Sequence, residues 1–178
     1  MIIQSEKLIV RNLESEDKYL LVKWLSNPEV LQYYEGRDNP LDFEEVERNF
    51  YSITDSEVRC IIQYENVDIG YIQFYQLDED SRTLYGYGES TEVIYGMDQF
   101  IGEVNYWNKG IGTQLINLMV NFLIEQKKAD KIAMDPQTWN VRAISCYEKC
   151  GFRKVKLLPK NELHEGEYRD CWVIEYSK

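Results

Sequence analysis

Histidine and cysteine are scarce in this chain of 178 residues, which contains one histidine, His164, and four cysteines. Zinc hydrolases draw most of their ligands from histidine and cysteine, so this composition argues against that class. A cysteine–histidine transferase would depend on the same single histidine, and no G-x-S-x-G serine motif occurs. The cysteines form no C-x-x-C pair and no disulfide framework. We therefore expect reduced thiols and no metal site.

Long apolar stretches are also absent. No run approaches the roughly 18 consecutive apolar residues that a membrane-spanning helix requires. Residues 1–7 lack the basic segment followed by an apolar run that marks a secretory signal. The sequence therefore predicts a cytoplasmic protein with no membrane span and no signal peptide.

Basic residues are outnumbered by acidic ones, 20 against 31, which gives a formal net charge of −11. A field of this sign repels nucleic acid and anionic membranes and attracts cations. Acidity also aids solubility in general, so the charge alone does not identify a ligand. The length fits one domain spanning residues 1–178, which is large enough to fold without a disulfide or a metal.

Hydrophobic periodicity predicts alternating helices and strands. Strands are predicted at 7–13, 58–64, 69–77, 93–101, 131–135, 152–158 and 170–176, and helices at 14–25, 29–34, 43–51, 110–127 and 141–150. Residues 78–91 are polar and contain glycine and tyrosine, which predicts a loop. This order indicates a mixed α+β protein whose second half contains a strand–helix–strand–helix–strand unit.

The most informative loop spans residues 106–113, Tyr-Trp-Asn-Lys-Gly-Ile-Gly-Thr, and leads into the helix predicted at 110–127. The N-terminus of a helix carries unpaired N–H groups and a partial positive charge, which suit a phosphate. A dinucleotide fingerprint would need a third glycine where Leu115 stands. A P-loop would have its lysine after the last glycine, whereas Lys109 precedes both glycines. A plain turn is the alternative interpretation.

This loop resembles the acetyl-CoA signature of the GNAT superfamily of N-acetyltransferases, which is Gln or Arg, two residues, Gly, one residue, then Gly or Ala. Gly110 and Gly112 match the signature. Trp107 stands at the first position, a departure that concerns one side-chain contact. Residues 140–152, which run from an asparagine through a tyrosine to Gly-Phe, are similar to the family's later segment. The resemblance implies an α+β GNAT fold, with a mixed, mostly antiparallel, V-shaped central sheet flanked by helices.

The resemblance also implies acetyl-CoA as the acetyl donor, lying in the gap between two splayed central strands. Backbone N–H groups would hold the pyrophosphate, and those near Gln99 and Phe100 would polarise the thioester carbonyl. The expected cofactor-binding residues are Gln99, Phe100, Ile101, Lys109, Gly110, Ile111, Gly112, Thr113, Asn140, Ala143 and Lys149.

Within the superfamily, residues 95–103, 106–107 and 109–113 are similar to the aminoglycoside 6′-N-acetyltransferases, especially to the acetyltransferase half of the bifunctional acetyltransferase–phosphotransferase. Asp135-Pro136, residues 163–166 and Asp170-Cys171 continue the similarity. The chain ends at Lys178, so we expect a stand-alone enzyme without a phosphotransferase domain. The resemblance implies acetylation of the 6′-amine of these antibiotics, which confers resistance.

Two residues are candidates for the chemistry. Asp98 interrupts an apolar strand, where a charge is costly unless it faces a polar cavity or a partner. The resemblance implies that Asp98 binds the substrate ammonium, accepts its proton, or does both; a structural carboxylate is the alternative. Tyr147 is expected to donate a proton to the sulfur of CoA, with packing against Phe152 as the alternative.

Acidic and aromatic side chains are expected to line the substrate site. An aminoglycoside carries several ammonium groups, and carboxylates select such ligands. The expected substrate-binding residues are Trp24, Tyr85, Tyr87, Asp98, Asp135 and Asp170. For all of them except Asp98 and Asp135, an ordinary core or surface role is the main alternative.

Two other functions are compatible with the sequence. A GNAT enzyme could acetylate another small amine, such as a polyamine, or a protein N-terminus. A non-catalytic acyl-CoA-binding module would need the glycine loop but neither Asp98 nor Tyr147. The presence of both residues favours an enzyme.

Overall fold

The computed structural model describes residues 1–54 and 56–178. The strands in this part of the chain are β1 Ile3–Gln4, β2 Leu8–Asn12, β3 Glu57–Tyr64, β4 Val67–Gln76, β5 Ile94–Ile101, β6 Lys131–Met134, β7 Arg153–His164 and β8 Glu167–Ser177. The α-helices are α1 Lys18–Trp24, α2 Pro28–Leu31, α3 Phe43–Phe50, α4 Glu79–Tyr85, α5 Ile111–Glu125 and α6 Val141–Lys149. Short 3-10 helices lie at Ser15–Asp17 and Val104–Tyr106. None of these helices is long and apolar enough to cross a membrane.

The strands form one sheet in the order β1-β2-β3-β4-β5-β6-β8-β7. β2 pairs antiparallel with β1 and β3, and β8 pairs antiparallel with β6 and β7. β5 and β6 are parallel, because α5 connects them as a crossover helix. The predicted mixed, mostly antiparallel α+β architecture is confirmed, and so is the β5–α5–β6–α6–β7 order of the second half.

The chain divides into two compact units. The first unit contains residues 1–73 and 98–111, and the second contains residues 74–97 and 112–178. A core cluster of the first unit is rich in large aromatic rings; it consists of Leu21, Trp24, Leu25, Val30, Leu41, Val46, Phe50, Ile61, Tyr71 and Phe100. A core cluster of the second unit consists of Leu77, Tyr85, Ile94, Ala133, Leu158, Cys171 and Val173.

The loop predicted over residues 78–91 is wrong in its first half, where the structure has helix α4. Asp78 caps this helix, because its Oδ1 accepts a 2.8 Å hydrogen bond from the Ser81 N–H. Gly86 ends it in the left-handed conformation, with φ of 92°. The polar residues after Leu77 are therefore a helix start and not an irregular loop.

The last two strands are longer than predicted. β7 reaches His164 and β8 begins at Glu167, so residues that were predicted to separate two short strands form a hairpin. Shifts in the pairing register between Lys154 and Lys156 and between Leu158 and Glu162 absorb the irregular middle of β7.

Candidate active site

The loop after β5 leads into α5 through a glycine with unusual geometry. Gly110 has a φ of 75°, a backbone angle that residues with a side chain rarely adopt. A Cβ built on Gly110 would meet nothing within 4 Å. The backbone before α5 is thus open to a close approach by a ligand. In the first turn of α5, a Cβ on Gly112 would lie 3.6 Å from Cys146 Sγ, which is an ordinary contact. The neighbouring Thr113 Oγ1 lies 3.6 Å from the same sulfur.

Trp107, which departs from the family signature, ties this loop to the end of β5. Its indole Nε1 donates a 2.8 Å hydrogen bond to the carbonyl of Ile101. Its ring meets Tyr33 edge-on, with ring centroids 5.8 Å apart. Lys109 Nζ lies 5.4 Å from the centre of the Tyr106 ring and is solvent-exposed. Trp107, at the position that differs from the family signature, therefore anchors the loop to the end of β5 and to Tyr33.

Asp98 lies on β5 and has a polar partner, as a charge in an apolar strand requires. Its Oδ2 accepts a 2.9 Å hydrogen bond from Gln73 Nε2 on β4. Gln73 Oε1 in turn accepts a 2.8 Å hydrogen bond from the hydroxyl of Tyr71, whose side chain is fully buried. Neither Gln73 nor Tyr71 is predicted as a site residue from the sequence. Their spacing of two on a strand is a signal that they share a face, but not that this face meets Asp98.

Of the other predicted residues of β5, Phe100 belongs to the first unit's core cluster. Phe100 is 8% exposed, and its ring lies 4.7 Å from the Tyr34 ring and 5.8 Å from the Tyr71 ring, centroid to centroid. Gly70 allows β4 to approach, because a Cβ there would stand 2.3 Å from the Phe100 carbonyl oxygen. Gln99 and Ile101 are partly buried on either side of Phe100. Ile111, at the start of α5, is buried.

Trp24 is held in the core of the first unit with 1% exposure, so the substrate contact predicted for it stays a prediction. Its Nε1 donates a 2.9 Å hydrogen bond to Glu103 Oε1, to which Lys23 also donates. Gly102 lies against its ring, since a Cβ there would be 2.2 Å from Cγ of the indole. Burial acts to raise the pKa of the Glu103 carboxyl, but the hydrogen bonds from Lys23 and Trp24 hold that pKa below its usual value.

In the second unit, the predicted start of α6 is confirmed. Asn140 is its N-cap, and its Oδ1 accepts a 3.3 Å hydrogen bond from the Ala143 N–H. Tyr147 is partly buried, with its ring centroid 6.0 Å from that of Phe152. Lys149 lies exposed in the last turn of the helix. These contacts fix the helix, while the cofactor and acid roles of its residues stay predictions.

Asp135 follows β6 in a segment that is bonded to β8. The Thr138 N–H donates to the Asp170 carbonyl and the Trp172 N–H to the Pro136 carbonyl, both at 2.9 Å. The Asp135 carboxylate accepts a 3.2 Å hydrogen bond from Asn161 Nδ2.

The buried thiol of Cys171 lies next to another acidic side chain of the second unit. Cys171 Sγ is 3.8 Å from Glu162 Oε2. Burial, with smaller contributions from the Asp135 and Glu162 charges, raises the pKa of the Cys171 thiol to about 12. The acidic side chain of Glu162 thus lies beside a buried thiol of the second unit.

The remaining substrate candidates each have a structural role. Asp170 Oδ1 accepts a 2.8 Å hydrogen bond from the Lys160 N–H across the β7–β8 hairpin. The Tyr87 hydroxyl donates a 2.7 Å hydrogen bond to Glu175 Oε2, and burial raises the pKa of this tyrosine. Tyr85 is buried in the second unit's core at 9% exposure. Their contacts with substrate stay predictions.

Relatives of the chain include acetyltransferases that act on aminoglycosides. The chain is 26% identical over 153 residues to aminoglycoside N(6′)-acetyltransferase type 1 of Klebsiella pneumoniae. The aligned region covers 84% of this chain and 76% of that protein. The same values hold for the protein of that name from Serratia marcescens.

Solved structures share the fold. An aminoglycoside acetyltransferase in complex with coenzyme A and kanamycin superposes with a TM-score of 0.77 at 24% identity, covering 96% of this chain and 95% of that one. Spermidine N-acetyltransferase from Vibrio cholerae, in complex with CoA and spermine, also superposes with a TM-score of 0.77, at 20% identity over 97% and 96% of the two chains.

The sequence pattern of the acetyltransferase (GNAT) domain matches residues 14–159. Since this match spans most of the chain, the protein belongs to the GNAT acetyltransferase family.

Proposed function

We propose that this protein transfers the acetyl group of acetyl-CoA to the 6′-amine of aminoglycoside antibiotics. The observation that carries the proposal is the 26% identity, over 84% of the chain, to an aminoglycoside N(6′)-acetyltransferase. Carboxylates at Asp98 and Asp135 and a net charge of −11 suit a substrate with several ammonium groups. Modification of the drug inside the cytoplasm would confer resistance.

The residues around the glycine loop fit acetyl-CoA. The backbone is open at Gly110, and the first N–H groups of a 15-residue helix follow it, as pyrophosphate binding requires. When bound, acetyl-CoA supplies an acetyl group activated as a thioester.

Asp98 is the residue proposed to receive the reacting amine. An amine attacks a carbonyl only in its neutral form, so the substrate ammonium must first lose a proton. A carboxylate can bind that ammonium and accept the proton, and the hydrogen bond from Gln73 Nε2 holds this carboxylate in place.

Tyr147 is the residue proposed to protonate the departing thiolate. Tyr147→Phe keeps the ring that packs beside Phe152 and removes only the hydroxyl. We expect kcat to fall by roughly 10²–10⁴-fold, the usual range for general acid–base catalysis. A decrease of less than about threefold would leave this side chain a packing role.

Regiospecific turnover tests the proposed function directly. The purified protein is incubated with acetyl-CoA and either kanamycin, which carries a 6′-amine, or a matched aminoglycoside with a 6′-hydroxyl. Release of the CoA thiol is followed, and the acetylated nitrogen is located by NMR. We expect fast release only with the 6′-amine and one new amide at that position. Equal turnover of both drugs, or acetylation elsewhere, would contradict the assignment.

A polyamine is the second candidate substrate, because a spermidine acetyltransferase shares the fold and the acidic character suits any polycation. Spermidine in the same assay separates the two. A preference for spermidine in kcat/KM would replace the aminoglycoside. CoA binding without turnover of either amine, or of an N-terminal peptide, would favour a binding module.

A single N-acetyltransferase domain over residues 1–178 stays a prediction.

A further inference from the structure

We propose that Gln73 is a positioning residue for Asp98 and that the buried hydroxyl of Tyr71 holds Gln73 in its working orientation. The catalytic meaning of this relay rests on the proposed function, in which Asp98 receives the amine. Its geometry does not, because it is a chain of two hydrogen bonds within the first unit.

The donor and acceptor roles in these two hydrogen bonds fix which way the Gln73 amide points. An ionised carboxylate only accepts hydrogen bonds, so the NH₂ group of Gln73 must face Asp98. The amide oxygen then faces Tyr71, whose hydroxyl donates to it at 2.8 Å. The reversed amide would place its oxygen against the carboxylate and lose the hydrogen bond to Asp98, although its NH₂ group could still donate to the Tyr71 hydroxyl oxygen. The contact with Asp98 therefore sets the orientation in which Gln73 accepts from Tyr71.

Tyr71 is a firm anchor for this chain. Its side chain is fully buried, its ring meets Phe50 edge-on at 5.1 Å, and it stacks on Phe100 at 5.8 Å between centroids. Burial raises the pKa of its hydroxyl, so the group stays neutral and able to donate. Because the ring cannot move without disturbing the core, the position of the hydroxyl is set by packing.

Gln73 suits this position because its amide donates a hydrogen bond without adding charge. A lysine or arginine there would also hold Asp98, but would cancel the negative charge that must attract an ammonium. A glutamine alone has three rotatable bonds, and orienting it costs conformational entropy. The bond from Tyr71 at its far end removes much of that freedom, which is how a supporting residue holds a reacting group within a fraction of an ångström.

Kinetics of matched variants test the relay. Gln73→Met and Tyr71→Phe keep the volume and remove the polar groups; Gln76→Met, on the exposed end of the same strand, is the control. We expect kcat with the preferred amine to fall about tenfold or more in Gln73→Met, the scale of one hydrogen bond to a charged group. Tyr71→Phe should have a smaller effect in the same direction, and the KM for acetyl-CoA should stay unchanged in all three.

A double-mutant cycle separates positioning from general structural damage. A residue that acts through the Asp98 carboxylate has no carboxylate left to position once Asp98→Asn has been made, so adding Gln73→Met should change the residual rate less than twofold. The same loss in both backgrounds, or no loss in the wild-type background, would overturn the proposal. Thermal unfolding of each variant shows whether the fold is retained.

NMR tests the geometry without any turnover. The side-chain NH₂ signals of Gln73 are assigned by their disappearance in Gln73→Met. They should shift in both Asp98→Asn and Tyr71→Phe, while the NH₂ signals of Gln76 stay in place. Unmoved Gln73 signals would overturn the relay. If these signals shift but no aminoglycoside is acetylated, the relay stands and the proposed function fails.

Discussion

The two units hold their candidate carboxylates in different ways. Asp98, in the first unit, accepts a hydrogen bond from an amide that is itself fixed by a fully buried tyrosine. Asp135, in the second unit, contacts the partly buried Asn161, and the segment that follows it is bonded to β8 through the backbone. Packing therefore determines the position of the Asp98 carboxylate more closely than that of Asp135. This difference is compatible with the proposed roles, since a group that takes part in the reaction must be held in a fixed position.

Replacement of Asp98 should have the largest effect. Asp98→Asn keeps the shape and can still accept from Gln73, but it loses the charge and the ability to take a proton. We expect kcat and kcat/KM to fall together by roughly 10²–10⁴-fold, because the interaction is made in the transition state. Steady-state kinetics over a range of drug concentrations measure both constants. A change in KM alone would mean that Asp98 only binds.

Replacement of Asp135 should mainly weaken drug binding. In Asp135→Asn we expect the drug's KM to rise roughly tenfold to a hundredfold with little change in kcat, the scale of one charge-assisted hydrogen bond. The rise should be larger at low ionic strength, where attraction between charges is less screened. If kcat collapses while KM is constant, the roles of the two carboxylates are exchanged. If neither variant has an effect, the acidic residues give no reason to favour an aminoglycoside.

Two glycines, Gly102 in the first unit and Gly112 in the second, test how tightly each unit packs around its glycine. A Cβ on Gly102 would stand 2.2 Å from the buried Trp24 ring, whereas one on Gly112 would stand 3.6 Å from Cys146 Sγ. We expect Gly102→Ala to lower the free energy of unfolding by about 1–3 kcal/mol and Gly112→Ala to change it by less than about 1 kcal/mol. Denaturant titration measures both.

The tolerance expected at Gly112 also makes it a clean probe of the cofactor loop. Weaker CoA binding by Gly112→Ala in calorimetry, at unchanged stability, would report contact between the ligand and this backbone. Unchanged affinity would show that the loop is a plain turn at this position.

The smallest expected effect is on stability in acid. Burial opposes ionisation of Glu103 and Glu175, but their hydrogen-bonded partners hold the pKa of each carboxyl below its usual value. Their stabilisation is thus complete above the unfolded-state value of about 4.3 and is lost as the pH falls through the folded-state pKa. Melting temperatures of Glu103→Gln and Glu175→Gln should approach the wild-type value as the pH is lowered below about 4. A constant difference across this range would contradict the assignment.

Sequence periodicity predicted most of the fold, because the long elements carry strong patterns. The helix predicted at 110–127 is observed as Ile111–Glu125, and the strand predicted at 93–101 as Ile94–Ile101. Helix α4 was missed because its first turn is all polar, although Asp78 and Gly86 mark its two ends. β7 is longer than predicted because Pro159 and Asn161 are typical of turns and so indicate the end of a strand. In the structure the register shifts at this point, and β7 continues to pair with β8 beyond it.

The site was predictable only where a motif is local. The helix predicted at 141–150 does begin at Val141, directly after the N-cap Asn140, because a cap acts on residues three positions away. The contact between Gln73 and Asp98 joins residues 25 positions apart. It depends on which strands are neighbours and in which register, and no local pattern contains this information. Likewise, the burial of Trp24 and Tyr85 depends on what packs over them.

The two ends of the sheet differ in how they would meet a neighbouring molecule in a crowded cell. β1 ends one side with two residues, too few to template another strand. β7 ends the other with 12 residues, but carries Pro159, two register shifts and the exposed lysines Lys154, Lys156 and Lys160. Charge, proline and irregular pairing all hinder strand addition. The irregular hairpin thus also hinders edge-to-edge aggregation of the protein.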